Sequence, residues 1–163
     1  MFSLEIQSLA RLLIDDARER SLRLVTAESC TGGLVAAAIC SIPGASDVFE
    51  RGFVAYTNRA KQELLGVSGD MLADLGAVSE PIVRMMAEGA LEHSHAHVAV
   101  AITGVAGPGG GTPLKPVGTV HFATARANQS VQHRLEMFDL DQRWDIQMAS
   151  VQIALELLRE RLR

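Results

Sequence analysis

The alternation of strand-like and helix-like segments is the feature that most constrains the fold of this 163-residue chain. Apolar segments at residues 22–27, 51–57 and 97–102 predict buried strands, and helical segments separate them. Strands joined through helices pair in parallel, whereas the closely spaced strand segments 117–125 and 131–138 predict an antiparallel neighbour. The sequence therefore predicts a three-layer α/β/α fold with a mixed, mostly parallel five-stranded sheet.

The helices are predicted from apolar spacing and from residues that favour helix ends. Apolar stripes predict helices over residues 3–20, 33–40 and 144–162. Asn58 is the predicted N-cap of a short helix that Gly66 closes, residues 68–75 predict a further short helix, and Ser79 is the predicted N-cap of a helix that reaches Glu92.

Composition and charge restrict the class of protein. The length fits one domain over residues 1–163, and 48% hydrophobic with 21% charged residues is typical of a folded chain. A net charge of −4 argues against a nucleic-acid partner bound through a broad basic face. No apolar run approaches the roughly 20 residues that span a bilayer, so no membrane partner is expected. The two cysteines suggest no disulfide framework, which favours a cytoplasmic protein. The apolar helices also permit a homo-oligomer, with a dimer the first choice.

A polar, glycine-bearing turn follows the first predicted strand, where residues 25–34 read VTAESCTGGL. Its position predicts that Ser29 lies beside the free N–H groups of a helix start, which bind anions or stabilise an oxyanion. The small residues Thr31, Gly32 and Gly33 leave room for a ligand to approach the backbone. The turn thus indicates a nucleophile, although the G-x-S-x-G pattern is absent. In the alternative interpretation, Ser29 or Thr31 only caps the helix.

Cys30 is a second candidate nucleophile in this turn. A thiol near a helix N-terminus has a lowered pKa and can attack directly. A cysteine in apolar sequence is also commonly a small buried hydrophobe, and no histidine carries a motif that places it here.

Lys61 is the candidate base. It lies three residues after Asn58, in the first turn of the predicted short helix, where the helix dipole, burial and Arg59 all disfavour a protonated amine. A neutral lysine can accept a proton from a serine. The alternative is an exposed lysine that pairs with Glu63 or Glu50.

Two residues elsewhere in the chain could support a site. Tyr56, the only tyrosine, ends the second predicted strand and could form a hydrogen bond in the site or serve a structural purpose. Arg143, near the start of the last helix, could bind a phosphate through two nitrogens. Otherwise it is a solvated arginine that pairs with Asp141 or Asp145.

A segment rich in glycine and proline follows the third predicted strand at residues 103–116. Its glycines allow backbone N–H groups to converge on an anion, and long loops in compact domains are often functional. We therefore predict that Thr103, Gly104 and Gly107 contact a ligand, with a flexible surface loop as the alternative. The alternating histidines of residues 93–97 lack a completing carboxylate or cysteine, so no metal and no other cofactor are predicted.

Four blocks together resemble the CinA C-terminal domain, the nicotinamide-nucleotide amidase family. They are residues 27–33 (AESCTGG), 48–58 (VFERGFVAYTN) with Lys61, 76–81 (GAVSEP), and 102–108 (ITGVAGP) continuing to 115–120 (KPVGTV). They occur in one order, and the resemblance runs from about residue 5 to the C-terminus.

The resemblance implies hydrolysis of the carboxamide of nicotinamide mononucleotide to nicotinic acid mononucleotide and ammonia. It makes Ser29 the nucleophile and Lys61 its base, with Tyr56 and Arg143 as supporting residues, and it implies the stand-alone form of the amidase. Arg143 follows Asp141-Gln142 here, where the family usually has Gly-Asp.

In this interpretation the partner is a small pyridine nucleotide. The N–H groups near Cys30 and Thr31 stabilise the oxyanion, while residues 103–111 hold ribose and phosphate. Two alternatives stay open: a nucleotide-binding regulatory module without turnover, linked to competence or the DNA-damage response, and a hydrolase that uses the Cys30 thiol.

Overall fold

A computed structural model describes all residues 1–163. Six helices and five strands follow one another in the predicted order. The helices are α1 (Leu4–Glu19), α2 (Leu34–Cys40), α3 (Asn58–Leu65), α4 (Gly69–Leu75), α5 (Glu80–Glu92) and α6 (Arg143–Leu162). The strands are β1 (Leu24–Glu28), β2 (Phe49–Val54), β3 (Val98–Gly104), β4 (Thr119–Arg126) and β5 (Gln132–Met137).

The sheet has the strand order β2-β1-β3-β4-β5. β1 pairs in parallel with β2 and β3, and β4 pairs antiparallel with both β3 and β5. Four strands therefore run in one direction and only β4 opposes them, which confirms the mixed, mostly parallel sheet. The chain reverses its direction through the long β3–β4 connection and again through the short β4–β5 turn.

Helices cover both faces of the sheet. α1, α2 and α6 pack on one face in an apolar cluster that includes Leu13, Ile39 and Leu155. α3, α4 and α5 pack on the other face with Leu65 and Met86. The side chains of β3 alternate accordingly: its valines and isoleucine face the first layer, and its alanines face the second. Coverage on both faces explains why every residue of β1, and every residue of β3 except the last, is buried.

Several element ends differ from the prediction. Thr57, not Asn58, caps α3, since its Oγ1 accepts a hydrogen bond from Ala60 N at 3.0 Å. Ser79 occupies the N-cap position of α5, but its hydroxyl donates to Gly76 O and makes no cap bond.

Two of the differences move site residues between strand and loop. β2 ends at Val54, so Tyr56 lies in the loop after the strand. Thr103 and Gly104 are the last residues of β3, because pairing with β4 extends the strand into the predicted loop. In both cases hydrogen bonds to a distant segment, which local sequence does not reveal, decide where the strand ends. None of the six helices has the length and apolar character needed to cross a bilayer.

Candidate active site

A cavity of about 280 Å³ opens at the edge of the sheet where the three parallel strands β1, β2 and β3 end. This is the edge at which open α/β sheets bind ligands. Eight of the predicted site residues line the cavity: Ser29, Cys30, Tyr56, Lys61, Thr103, Gly104, Gly107 and Arg143.

Lys61 and Ser29 meet in this cavity although 32 residues separate them. Lys61 Nζ lies 2.9 Å from Ser29 Oγ. The same nitrogen donates to Ala55 O at 2.9 Å and to Tyr56 O at 3.2 Å. Only 1% of the Lys61 surface is exposed, so the interpretation as an exposed lysine paired with Glu63 or Glu50 is wrong. Those two carboxylates pair with arginines instead.

The surroundings of Lys61 favour the neutral amine. Burial lowers the pKa of Lys61, and no carboxylate forms an ion pair with it to offset that effect. A neutral amine has two N–H bonds and one lone pair. The two carbonyl oxygens match the N–H bonds, which leaves the lone pair for the hydroxyl proton of Ser29. The pair thus has the geometry of a nucleophile with its base.

Cys30 lacks the environment of a reactive thiol. Burial, reinforced by the negative charge of Glu28, raises the pKa of the Cys30 thiol to about 12. No imidazole approaches it, because the histidines lie in the α5–β3 connection and on β4 and β5. The alternative of a buried small hydrophobe fits this residue, which belongs to the apolar cluster of the α6 face.

The turn after β1 is organised by the carboxylate of Glu28, which is completely buried. Four donors converge on its two oxygens: Thr31 Oγ1 at 2.7 Å and the backbone N–H groups of Gly33, Val35 and Ala36 at 2.8–3.1 Å. A carboxylate only accepts hydrogen bonds, so it matches this set of donors. Glu28 therefore caps α2 from inside the protein.

This cap corrects the expected position of the ligand beside the turn. The helix N–H groups that were predicted to face an anion are occupied, by Glu28 at Val35 and Ala36 and by Thr31 O at Leu34. Thr31, Gly32 and Gly33 do not line the cavity. The physical reason is that four turn residues separate Ser29 from the start of α2 at Leu34, which moves the helix start away from the nucleophile.

Two backbone N–H groups of the turn have no acceptor in the protein, those of Cys30 and Thr31. The N–H of Gly32, by contrast, donates to Ser29 O at 3.0 Å. A backbone N–H directly after a nucleophile is a common oxyanion donor in serine hydrolases.

Tyr56 and Arg143 meet at the mouth of the cavity. Arg143 Nη2 donates to Tyr56 Oη at 2.9 Å, and Nη1 donates to Gly107 O at 2.7 Å. Arg143 is the first residue of α6, so it joins three elements around the opening. The predicted pairing with Asp141 or Asp145 does not form.

The β3–β4 loop supplies the opposite wall. The N–H groups of Ala106, Gly107, Gly109 and Gly110 donate to no group of the protein, and all four residues line the cavity. Gly107 has a φ of +76°, which a side chain would strain. A Cβ on Gly104 would lie 2.7 Å from the backbone oxygen at the start of β4. Free backbone N–H groups in a glycine-rich loop can bind an anion.

Two residues of the site escaped sequence reasoning. For Glu28 one signal is present in the sequence: it is the only charged residue between Arg23 and Asp47, and it stands at the end of a predicted buried strand. Gln147 of α6 donates from Nε2 to Cys30 O at 2.9 Å, and no sequence signal connects these positions, which are 117 residues apart.

Fold and site together define a three-layer α/β/α protein with a buried serine–lysine pair at the carboxyl edge of its sheet. Residues 6–162 match the model of the CinA C-terminal domain, so the chain belongs to that family.

Relatives and solved structures agree with this assignment. The chain is 52% identical over 134 residues to a CinA-like protein of Akkermansia muciniphila, covering 82% of this chain and 32% of that protein. It is 46% identical over 154 residues to a CinA-like protein of Syntrophobacter fumaroxidans, covering 93% and 35%. It thus spans about a third of the length of these curated relatives.

Among solved structures, the competence/damage inducible protein CihA of Agrobacterium tumefaciens superposes with a TM-score of 0.95 at 49% identity, covering 97% of this chain and 96% of that one. A CinA superfamily protein of Escherichia coli gives 0.90 at 36% identity, covering 98% and 93%.

Proposed function

We propose that this protein is an amidase that hydrolyses the carboxamide of nicotinamide mononucleotide to nicotinic acid mononucleotide and ammonia. The observation that carries the proposal is the 2.9 Å contact between Ser29 Oγ and Lys61 Nζ, with the lysine buried and free of any ion pair. Burying an amine that has hydrogen-bond partners but no carboxylate to pair with costs more free energy than burying an apolar side chain, so a purely structural purpose would favour an apolar residue here.

In the acylation step, Ser29 Oγ attacks the carboxamide carbon while its proton passes to Lys61 Nζ. The carbonyl oxygen becomes an oxyanion, and the N–H of Cys30, which lines the cavity and has no acceptor in the protein, donates to it. The intermediate collapses by breaking the C–N bond. The proton held by Lys61 passes to the leaving nitrogen, so that ammonia departs and an acyl ester remains on Ser29.

In the deacylation step, water replaces ammonia. Lys61 accepts a proton from the attacking water, the ester bond to Ser29 Oγ breaks, and the hydroxyl recovers its proton. Nicotinic acid mononucleotide is released as a carboxylate. All proton transfers pass through one amine, which suits a base held by two carbonyl oxygens within reach of the nucleophile.

The choice of substrate rests on family membership and on the walls of the cavity. The free N–H groups of Ala106, Gly107, Gly109 and Gly110 and the guanidinium of Arg143 line the cavity, and they are donors of the kind that bind a phosphate. No carboxylate lines the cavity, so nothing there repels an anionic nucleotide. Arg143 already uses both terminal nitrogens to hold Tyr56 and Gly107, so its contribution to phosphate binding is a shared one.

The test is ammonia release from nicotinamide mononucleotide by the wild type and by Ser29→Ala, Lys61→Ala and Cys30→Ala. We expect kcat to fall by at least about 1,000-fold in the first two variants. Cys30→Ala is the matched control, since it makes the same substitution one residue away, and we expect its kcat to stay within about 5-fold of the wild type.

Each rival function has its own outcome in this assay. Full activity in Ser29→Ala together with its loss in Cys30→Ala would establish the thiol hydrolase. Binding of the nucleotide without ammonia release by the wild type would instead favour a regulatory binding module.

A further inference from the structure

β5 is the last strand of the sheet, and one of its two sides is unpaired. It pairs only with β4, in a regular antiparallel register. Thr119 O accepts from Val105 N, directly after β3, so the backbone groups of Thr119 face β3, and those of Met137 opposite it face away from β4. The alternation along an antiparallel pair turns the backbone groups of Leu135 and His133 outward as well. The outward N–H and C=O groups of these three residues have no partner in the protein.

The side chains of β5 do not protect this free edge. Natural sheets commonly protect an edge with lysine, proline or a bulge, and β5 (QHRLEM) has none of these. Leu135 and Met137 are 47% and 55% exposed. On the opposite face of the strand, a cavity of about 410 Å³ lies between Arg134 and the residues Leu157 and Glu160 of α6, so the helix does not pack against this part of β5. The edge therefore presents free backbone groups beside apolar and charged side chains.

The other edge of the sheet, β2, is less suited to pairing with a further strand. Its register with β1 shifts between Leu24 and Val25, so the strand is irregular. Arg51, in the middle of β2, also donates from Nη1 to His93 O at 3.1 Å, which holds its side chain against the α5–β3 connection. A regular strand with free backbone groups is thus found at the β5 edge.

The charges of β5 favour pairing with a second copy of the same strand, in one particular register. Two identical strands pair antiparallel about a two-fold axis. With the axis at Leu135, the two copies of this residue lie opposite each other, and Arg134 of each copy lies opposite Glu136 of the other. Moving the axis to Arg134 or to Glu136 would instead place like charges opposite each other, which is destabilising. Charge complementarity therefore selects the register centred on Leu135.

We propose that the β5 edge is a self-association surface, at which a second copy of this chain adds its own β5 in the antiparallel register centred on Leu135. The two five-stranded sheets would then form one continuous sheet. Leu135 exchanges backbone hydrogen bonds with its counterpart, and His133 does so with Met137 of the second copy. The proposal is independent of the amidase reaction, because the catalytic cavity opens at the ends of β1, β2 and β3 and contains no residue of β5.

The experiment measures molecular mass by sedimentation equilibrium over a series of micromolar protein concentrations. We expect the wild type to change from one chain of 17.5 kDa to two as the concentration rises, since an interface of one strand per protomer is small and dissociates on dilution. Arg134→Glu and Glu136→Arg each place like charges opposite each other twice, so each variant alone should dimerise with a Kd at least about 10-fold higher.

An equimolar mixture of these two variants is the decisive sample. One variant then contributes a strand with two acids and the other a strand with two bases, so the mixture should regain the wild-type Kd. Misfolded variants could not recover in this way. The matched control is Arg51→Glu, the same substitution on the β2 edge, which should keep the wild-type Kd. A second measurement follows hydrogen exchange of the Leu135 amide, which should slow as the wild-type concentration rises.

Loss of the dimer in each variant, with recovery in the mixture, supports the proposal. A wild type with the mass of one chain at every concentration overturns it, and any strand that pairs with this edge must then come from another protein. A wild-type dimer that persists unchanged in both variants, with free exchange at Leu135, also overturns the proposal because the interface lies elsewhere. Loss in both variants without recovery in the mixture overturns the register.

Discussion

Replacing Glu28 by glutamine tests the internal cap on which the nucleophile turn depends. The amide has one acceptor oxygen where the carboxylate has two. In its better orientation, that oxygen stays at the position where Thr31 Oγ1 and the N–H groups of Gly33 and Val35 converge. The NH₂ group then faces the N–H of Ala36, where the carboxylate had accepted a bond of 2.8 Å.

The expected loss follows from that count. One hydrogen bond to a charged acceptor disappears and two donors come to face each other, which costs about 1.5–3 kcal/mol. For a chain of this size, about 2 kcal/mol corresponds to a fall in Tm of about 4–8 °C. Glu28→Ala would leave three backbone N–H groups and a hydroxyl without an acceptor, and its larger cost would approach the whole stability of an ordinary domain, about 5–15 kcal/mol.

The assay is urea unfolding followed by far-UV circular dichroism, with Glu63→Gln as the control. Glu63 pairs with Arg59 on the surface of α3, where the two side chains are 58% and 86% exposed, so this variant should lose no more than about 0.5 kcal/mol. If Glu28→Gln unfolds at the same urea concentration as Glu63→Gln, the carboxylate does not hold the helix start and our account of the turn is wrong.

Three further predictions concern the base, the thiols and two glycines near the cavity. Protonated Lys61 cannot accept the serine proton, and burial lowers the pKa of Lys61. We therefore expect kcat/KM to rise with pH through that pKa and to level off above it. A kcat/KM profile that falls over this range while the protein stays folded would refute the neutral base. Ellman's reagent should react with one thiol in the native protein, the exposed Cys40, and with two thiols after denaturation. The reason is that Cys30 is buried and its pKa is raised to about 12. Rapid reaction of both thiols in the native protein would contradict this prediction. Gly104→Ala should lose about 1–3 kcal/mol in urea unfolding, since its Cβ would lie 2.7 Å from a backbone oxygen of β4, whereas Gly109→Ala, with no atom within 4 Å of its Cβ, should lose much less.

The elements of the fold could be predicted because their signals are local. A buried strand needs apolar residues in succession, and an amphipathic helix needs them at helical spacing, whatever the rest of the chain does. The boundaries were less accurate where distant partners decide them. β3 continues through Thr103 and Gly104 because β4 pairs with them, and β2 stops at Val54.

The candidate site shows the same division. Ser29 and Lys61 follow adjacent parallel strands, so the order of elements already placed both near one edge of the sheet. Their 2.9 Å contact, and the burial that lowers the pKa of Lys61, arise only when folding brings α3 beside the turn that follows β1. The sequence leaves open whether Ser29 or its neighbour Cys30 is the nucleophile. The structure favours Ser29, because its hydroxyl contacts the Lys61 amine whereas the Cys30 thiol lies among apolar side chains.

The sequence by itself determined the α/β/α architecture, the turn that carries the nucleophile and the glycine-rich loop, because each depends on neighbouring residues and on chain order. Only the tertiary structure decided which N–H groups of the turn remain free. That result depends on Glu28, whose carboxylate accepts from the N–H groups at the start of α2. Backbone donors have no signature in the sequence, and whether one is free depends on every group that folding brings near it.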